Sequence, residues 1–389
     1  MRVDVRIGAT WFIGLALVLA SLGCPGGDGA PDDAGSDSRT ASCAGPTDTL
    51  DLLFVIENAG GVSEEQASLL SQLPHLLEAL TTGELRDASG AIVRSGTAAT
   101  SLHVGVVTSD MGVGDAAVPT CDDPRFGDDG VLWTRGALAL RDCSAGYPSF
   151  LEFATGDDVA SVTTDLTCVL AGVGTDGCGF ERHLGAMLKA LTPSDSDIVF
   201  QAGTGGHADR ENAGFLRPDS VLAIVLLAEE DDCDAARADL YNPSSTTYAG
   251  DLGMRCADYP EALHPISYYL DGLLALRPDH PERIVYAPIA GVPTDLVADP
   301  DDIDYAAILD DPRMQQRPNP AMPSGLTPSC NVPGRGLAFP PVRIATLARE
   351  LDAAGAHAVM QSYCQEDYTG PIDAIVGRIF DALAGGCAR

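Results

Sequence analysis

Residues 51–66 read DLLFVIENAGGVSEEQ. An apolar run breaks into a short polar loop with two glycines, and the loop leads into an acidic stretch opened by serine. From Leu52 to Ile56 no polar side chain interrupts the run, which is the composition of a strand buried on both faces. Ser63 followed by Gln66 has the spacing of a capping box, which predicts a helix starting there and a tight turn after Ile56.

The same unit recurs. Short apolar runs lie at Val104 to Val107, Val221 to Leu227, Ile284 to Ile289 and Ala356 to Met360. Amphipathic stretches at Glu64 to Leu80, Glu181 to Leu191, Pro260 to Leu276, Val342 to Ala354 and Ile372 to Leu383 separate or follow them. Strands alternating with helices predict an α/β fold, a doubly wound and mostly parallel sheet with helices on both faces. Three segments, at about 110–165, 231–259 and 291–340, are too irregular for core elements. They are expected to be insertions at the sheet's ends, within one domain spanning 48–387.

The N-terminus runs from MRVDVR through an apolar stretch, Ile7 to Leu19, to Ser21-Leu22-Gly23-Cys24, the order of an export signal over residues 1–23. A cysteine directly after a small residue resembles the bacterial lipoprotein arrangement. That resemblance implies lipidation of Cys24 and a membrane anchor at the cell envelope, with everything downstream outside the bilayer. Residues 24–47 are rich in Gly, Pro, Asp and Ser and read as a disordered tether.

Eleven cysteines less Cys24 leave ten, an even number suited to disulfides in an oxidising compartment. Spacing leaves the connectivity open. Proximity favours Cys121 with Cys143, Cys168 with Cys178, and Cys233 with Cys256; Cys43 with Cys387 would clasp the ends, leaving Cys330 with Cys364. No C-x-x-C pair is present, which argues against a zinc site.

The net charge is −33 and the sole lysine is Lys189, so electrostatics exclude nucleic acid as a partner. Neither G-x-S-x-G nor H-E-x-x-H occurs, and no catalytic residue is assigned. The acidic pairs Glu64–Glu65 and Asp231–Asp232 are expected to be solvated. Gly172 to Gly177 match G-x-G-x-x-G, with Asp195 and Asp197 about 20 residues on. The match is read as a helix-entry turn, and no nucleotide cofactor is expected.

The loop Glu57-Asn58-Ala59-Gly60-Gly61 resembles the opening of the von Willebrand factor type A domain family. There, a D-x-S-x-S loop after the first strand holds a divalent cation. GTDGCGF resembles the family's threonine loop, placing Thr175 at a ligand position, and LLAEEDDC puts Glu229 where the family has an aspartate. The resemblance implies a degenerate metal site of Glu57, Thr175 and Glu229, with Ala59 and Gly61 where the family has hydroxyls. It also likens the Cys43–Cys387 clasp to the terminal bridge of some type A domains. A metal-free relic is the main expectation, with weak Ca²⁺ or Mg²⁺ binding as the alternative. The functional expectation is a lipid-anchored, non-catalytic binding or adhesion module for a protein or cell-surface ligand. A structural part of an envelope assembly, a cation-dependent adhesin and a hydrolase using the acidic cluster are the alternatives.

Overall fold

In chain order the elements of the computed structural model, which describes residues 44–333 and 336–385, begin with β1 (Thr49–Ile56) and α1 (Ser63–Thr82). A hairpin follows, β2 (Glu84–Arg86) with β3 (Ile92–Ser95), then β4 (Ser101–Thr108), β5 (Leu151–Ala154), α2 (Val159–Ala171) and α3 (His183–Leu191). The middle of the chain supplies β6 (Val221–Leu227), the one-turn α4 (Arg255–Asp258), α5 (Ile266–Ala275), β7 (Ile284–Ala290) and α6 (Tyr305–Asp310). Two small hairpins come next, β8 (Pro318–Asn319) with β9 (Met322–Leu326) and β10 (Cys330–Val332) with β11 (Gly336–Ala338). The last elements are α7 (Val342–Ala353), the split edge strand β12 (His357–Ala358) and β13 (Gln361–Ser362), and α8 (Thr369–Leu383).

The central sheet runs β12-β7-β6-β1-β4-β5, with β13 continuing the edge beside β7. All pairings are parallel except β4 with the outermost strand β5. The chain therefore starts in the middle, adds β4 and β5 on one side, then crosses back over β1 to add β6, β7 and the split strand on the other. Side chains of β1 alternate between two buried layers, as the strand period requires. Leu52, Phe54 and Ile56 pack with α1, α2 and α8, while Leu53 and Val55 pack with α3, α5 and α7. A third, smaller apolar cluster, around Phe180, Leu240, Tyr241 and Leu263, lies among the irregular segments.

Several elements depart from expectation. Val62, not Ser63, occupies the N-cap of α1, and no side chain caps it. Ser63 is the first helical residue and bonds to the Glu64 carboxylate, while the Gln66 amide bridges two loops instead. The 110–165 segment is not wholly an insertion. It contains β5, whose Leu151 and Phe153 face the core while Glu152 and Ala154 are exposed, and the first turns of α2, capped by Asp158 accepting from Ala160 N–H at 3.1 Å. Four residues of alternation are too few to stand out in a sequence. In the Pro260 to Leu276 stretch, α-helix is confined to Ile266–Ala275 after a 3-10 turn at Pro260–Ala262, because Pro265 disfavours helical backbone at the residue before it. The last expected strand pairs with β7 in two pieces. Residues 44–47, expected to belong to the tether, are docked: Thr47 N–H donates to Leu383 O at 2.9 Å and Ala44 N–H to Glu282 Oε1 at 2.6 Å.

Four disulfides lie among the described residues. Cys233–Cys256 and Cys330–Cys364 match expectation. The other two correct it: Cys121 pairs with Cys178, and Cys143 with Cys168. Proximity in sequence fails because α2, which carries Cys168, packs against the sheet beside the Cys143 loop. The chain then returns over the sheet's end, bringing Cys178 back to Cys121. Proteolysis under non-reducing conditions followed by mass spectrometry should yield Cys121–Cys178 and Cys143–Cys168 peptides; a Cys121–Cys143 peptide would contradict this arrangement. Cys24, Cys43 and Cys387, and with them the expected lipid anchor and terminal clasp, lie outside the described residues. No helix among those residues is long and apolar enough to cross a membrane.

Candidate functional site

The chain's change of direction falls between β1 and β6, and an open α/β sheet gathers its ligand groups beyond the carboxyl ends of such strands. Glu57 follows β1 directly, and its N–H donates to Leu227 O at 3.1 Å, continuing the ladder by one step. Ser109, just after β4, donates its N–H to Ile56 O at 3.0 Å. The α2–α3 loop is bound to the same place. Gln66 donates to the carbonyls of Glu57 at 2.8 Å and Gly174 at 3.0 Å, and Gly177 N–H donates to Asn58 O at 2.7 Å. The structure thus brings the loops of Glu57, Thr175 and Glu229 together at one end of the sheet.

Their chemistry is turned inward. The buried Glu57 carboxylate accepts through Oε2 from the backbone N–H of Glu229 at 2.6 Å and, weakly, of Glu230 at 3.4 Å. His183 Nε2 stands 3.2 Å from the same oxygen. Because a carboxylate can only accept, that contact places a proton on Nε2. His183 is fully buried and its Nδ1 has no partner among the described residues. It is thus only half satisfied by the described residues.

Gly61 sits at φ 120°, a conformation open to glycine and costly for serine. A Cβ there would also stand 2.7 Å from Glu229 Oε2. The glutamate tip would have to swing aside for a hydroxyl-bearing residue there, on top of the backbone strain. A hard divalent cation wants about six oxygens aimed at one point. Here one carboxylate oxygen is engaged by backbone N–H groups and imidazole, one hydroxyl position is glycine, and the other is Ala59. The donor set does not fit such a cation. Thr175 is half-buried in its loop, and no group of three or more His, Cys, Asp or Glu among the described residues is arranged to hold a metal.

A wider acidic cluster surrounds this point. Burial first, then the charges of Glu57 and Glu230, push the Glu229 carboxyl up to about 8. Glu181, 5% exposed, is pushed well up by burial and by Glu230 and Glu57. Glu230 is raised to about 7, by burial of its carboxyl and then by the charge of Glu57. The residue as a whole reaches solvent. Asp231 and Asp232, expected to be solvated, are instead structural. Asp231 accepts the first N–H groups of α7, from Arg343 at 3.0 Å and Ile344 at 3.3 Å. Asp232 accepts from Leu184 N–H at the start of α3 at 2.9 Å and pairs with Arg343 Nε at 3.1 Å. Glu65 is also buried, within 3.0 Å of the Tyr363 hydroxyl.

Beneath the cluster lies a buried ion pair. Arg182, 2% exposed, donates through Nε to Asp234 Oδ1 at 2.7 Å and through Nη1 to the carbonyls of Met111 at 3.0 Å and Gly112 at 3.1 Å. Tyr269 donates its hydroxyl to Asp234 Oδ2 at 2.8 Å. Burial pushes the Asp234 carboxyl up, but the Arg182 guanidinium outweighs it and holds the group below the usual range. Glu181, Arg182, Asp234 and Arg343 carry no motif; their one signal is a run of charged residues, Glu181-Arg182-His183, at a helix start that reads as buried. The glycines Gly172 to Gly177 follow the helix α2, whereas the dinucleotide fingerprint requires a strand there.

Between the irregular segments, a cleft of about 150 Å³ opens beside the cluster. The loops after α2 and β6, the α4 region, the β8–β9 hairpin and the start of α7 line it.

No family model matches the chain, and no curated protein does. A solved structure of proximal thread matrix protein 1 from the mussel byssus is similar over 63% of this chain, at 9% identity and a TM-score of 0.24. This chain spans 38% of that protein's structure, and a likeness this faint carries no argument about fold or function.

Proposed function

We propose that this chain is a non-catalytic binding module of the von Willebrand type A class, lipid-anchored at the bacterial envelope through Cys24, that engages a protein or surface ligand without a cation. The order of the sheet supports the class: the chain winds outward from β1 on both sides, and among the described residues the central sheet's antiparallel pairing lies at the β5 edge. So does the meeting of the Glu57, Thr175 and Glu229 loops at the β1–β6 crossover. One observation carries the loss of the cation. The Glu57 carboxylate is spent on the N–H groups of Glu229 and Glu230 and on His183, and Gly61 sits at a φ of 120° that strains any hydroxyl-bearing residue. Binding then passes to the disulfide-braced segments that stand over the same end of the sheet.

Calorimetric titration of the purified chain with Ca²⁺, Mg²⁺ and Mn²⁺ tests this. No saturable heat is expected at millimolar metal. Saturable binding by the wild type, abolished in both Glu57→Ala and Glu229→Ala, would replace the reading with cation-dependent adhesion.

A further inference from the structure

Of the chain's 23 lysine and arginine residues, Lys189 alone is lysine. It is also fully buried. Its Nζ lies 2.5 Å from Asp129 Oδ1 and donates to Thr204 Oγ1 at 2.8 Å, and the Phe200 ring stands 5.7 Å away. The loop that carries Asp129 is pressed onto α3. Asp129 has φ 57° and Gly130 φ 72°, and a Cβ on Gly130 would stand 2.9 Å from Ala186 O and 3.2 Å from Lys189 Cβ. Glycine alone suits both the conformation and the close approach. A third segment, carrying Thr204, is fixed beside the pair. The His207 N–H donates to Lys189 O at 3.0 Å, and the buried Asn212 amide donates to Gly130 O at 3.0 Å and Ala190 O at 3.1 Å.

His207 completes the arrangement. Its Nε2 is 3.1 Å from the second Asp129 oxygen, Oδ2, and its Nδ1 is 2.6 Å from Glu211 Oε2. Because carboxylates only accept, both ring nitrogens carry protons. Burial pulls the His207 pKa down, but the hydrogen bonds to Asp129 and Glu211 outweigh it and raise the group. Burial lowers the Lys189 amine against the opposing pull of Asp129. A carboxyl with a proton donor on one oxygen and an amine beside the other has the parts that amide formation needs. An arginine here would make the ion pair equally well. It could not act as a nucleophile, because a guanidinium does not deprotonate in a protein.

We propose that Lys189 and Asp129 become joined by an isopeptide bond between Nζ and Cγ. His207 gives its Nε2 proton to Oδ2, the Nζ lone pair forms the bond to Cγ, and the Cγ–Oδ2 bond breaks. Of the three protons on Nζ, one restores His207, one joins Oδ2, which leaves as water, and one stays on the amide nitrogen. Carboxylate and ammonium thus become amide and water, with no oxidant, reductant or other reactant. Condensation is unfavourable between free groups in water. Fixed neighbours offset this, since well-oriented groups react with effective concentrations of about 10⁵ M or more. The bond links residues 60 apart in sequence and ties the loop after β4 to α3. Unlike the four disulfides, it survives a reductant.

Mass spectrometry of the full chain, purified folded and then reduced, alkylated and unfolded, tests the proposal without any ligand. Lys189 is the one cleavage site for a lysine-specific protease, and a lysine whose Nζ is an amide is not cut. The wild type is expected to stay in one piece. Digestion at other residues should give the Asp129 and Lys189 peptides joined, lighter than their sum by about 18 Da, one water. Lys189→Met, of similar length and unable to form an amide, is expected at the full mass of its sequence. His207→Phe keeps both reacting groups and is expected to slow linkage by about 100-fold, the contribution of a placed proton donor, read as cleavage at Lys189 in freshly purified protein. Cleavage of the wild type at Lys189, or a wild type at the full mass of its sequence, would overturn the proposal whether or not either variant folds. A water still missing from Lys189→Met would overturn it too, because the loss would then lie elsewhere. Linkage as complete in His207→Phe as in the wild type would overturn the role given to His207.

Discussion

Arg182→Met will destabilise the protein by about 3–5 kcal/mol, the range found when one partner of a buried ion pair is removed and the other charge remains. Asp234 is 2% exposed, and without Arg182 its carboxylate keeps only the Tyr269 hydroxyl at 2.8 Å as a side-chain partner facing Oδ2. The carbonyls of Met111 and Gly112 lose their donor as well. The effect extends beyond one contact, because Arg182 joins the loop after β4, the start of α3 and the segment after β6 around the same end of the sheet. Urea denaturation followed by circular dichroism will show a lower midpoint at unchanged slope if the loss is purely one of stability. Arg182→Met combined with Asp234→Leu should recover a large part of that loss, since replacing both partners with apolar groups removes the stranded charge. A shift below about 1 kcal/mol in the single variant, the size of an exposed pair, would mean that the cluster is hydrated and mobile.

That pair also marks the limit of what the sequence discloses. The sheet was legible because its strands are uninterrupted apolar runs: Val221 to Leu227 is expected and observed with the same bounds. The helices α1, α7 and α8 were legible from their amphipathic spacing. The edge strand β5 was not, because Leu151–Ala154 is four residues long and shows only two inward positions. Helix α2 was hidden by its neighbourhood, since its first turns fall in a polar stretch, Thr155 to Asp165, that reads as loop. At the site, the resemblance to the type A family, together with the order of strands and loops, placed Glu57 and Glu229 at one end of the sheet, but not their orientation. Whether a glutamate after a strand points outward or folds back onto the next loop depends on which N–H groups await it. Here those belong to Glu229 and Glu230, 172 and 173 residues away. The disulfides show the same divide. Cys233–Cys256 closes a local loop and was found, whereas Cys121–Cys178 spans β5 and α2, neither of which was expected.

The direction in which acidity acts on this protein follows from those inward carboxyls. A glutamate in an unfolded chain ionises near 4.5, while Glu229 in the fold holds its proton up to about 8. Between those values the folded state binds more protons than the unfolded state. Stability from this group is therefore present at low pH and is lost as pH rises from about 4.5 to about 8. Glu181, raised by burial and by its acidic neighbours, acts in the same sense. Glu229→Gln replaces the protonated acid by a neutral amide of nearly the same shape. The variant should therefore match wild type near pH 4.5 and exceed it at pH 8 to 9. Each unit of pKa shift is worth about 1.4 kcal/mol, but Glu229 is partly open to solvent, and screening reduces the expected gain to about 1–2 kcal/mol. Thermal unfolding of both proteins across this range gives the difference directly, which cancels the general repulsion of a chain carrying −33 charges. A gain that grows with pH supports crowded, uncompensated carboxyls at the β1–β6 crossover. Curves that stay parallel at every pH would mean that Glu229 ionises like an ordinary surface glutamate, and the inward-facing cluster would then have no energetic consequence.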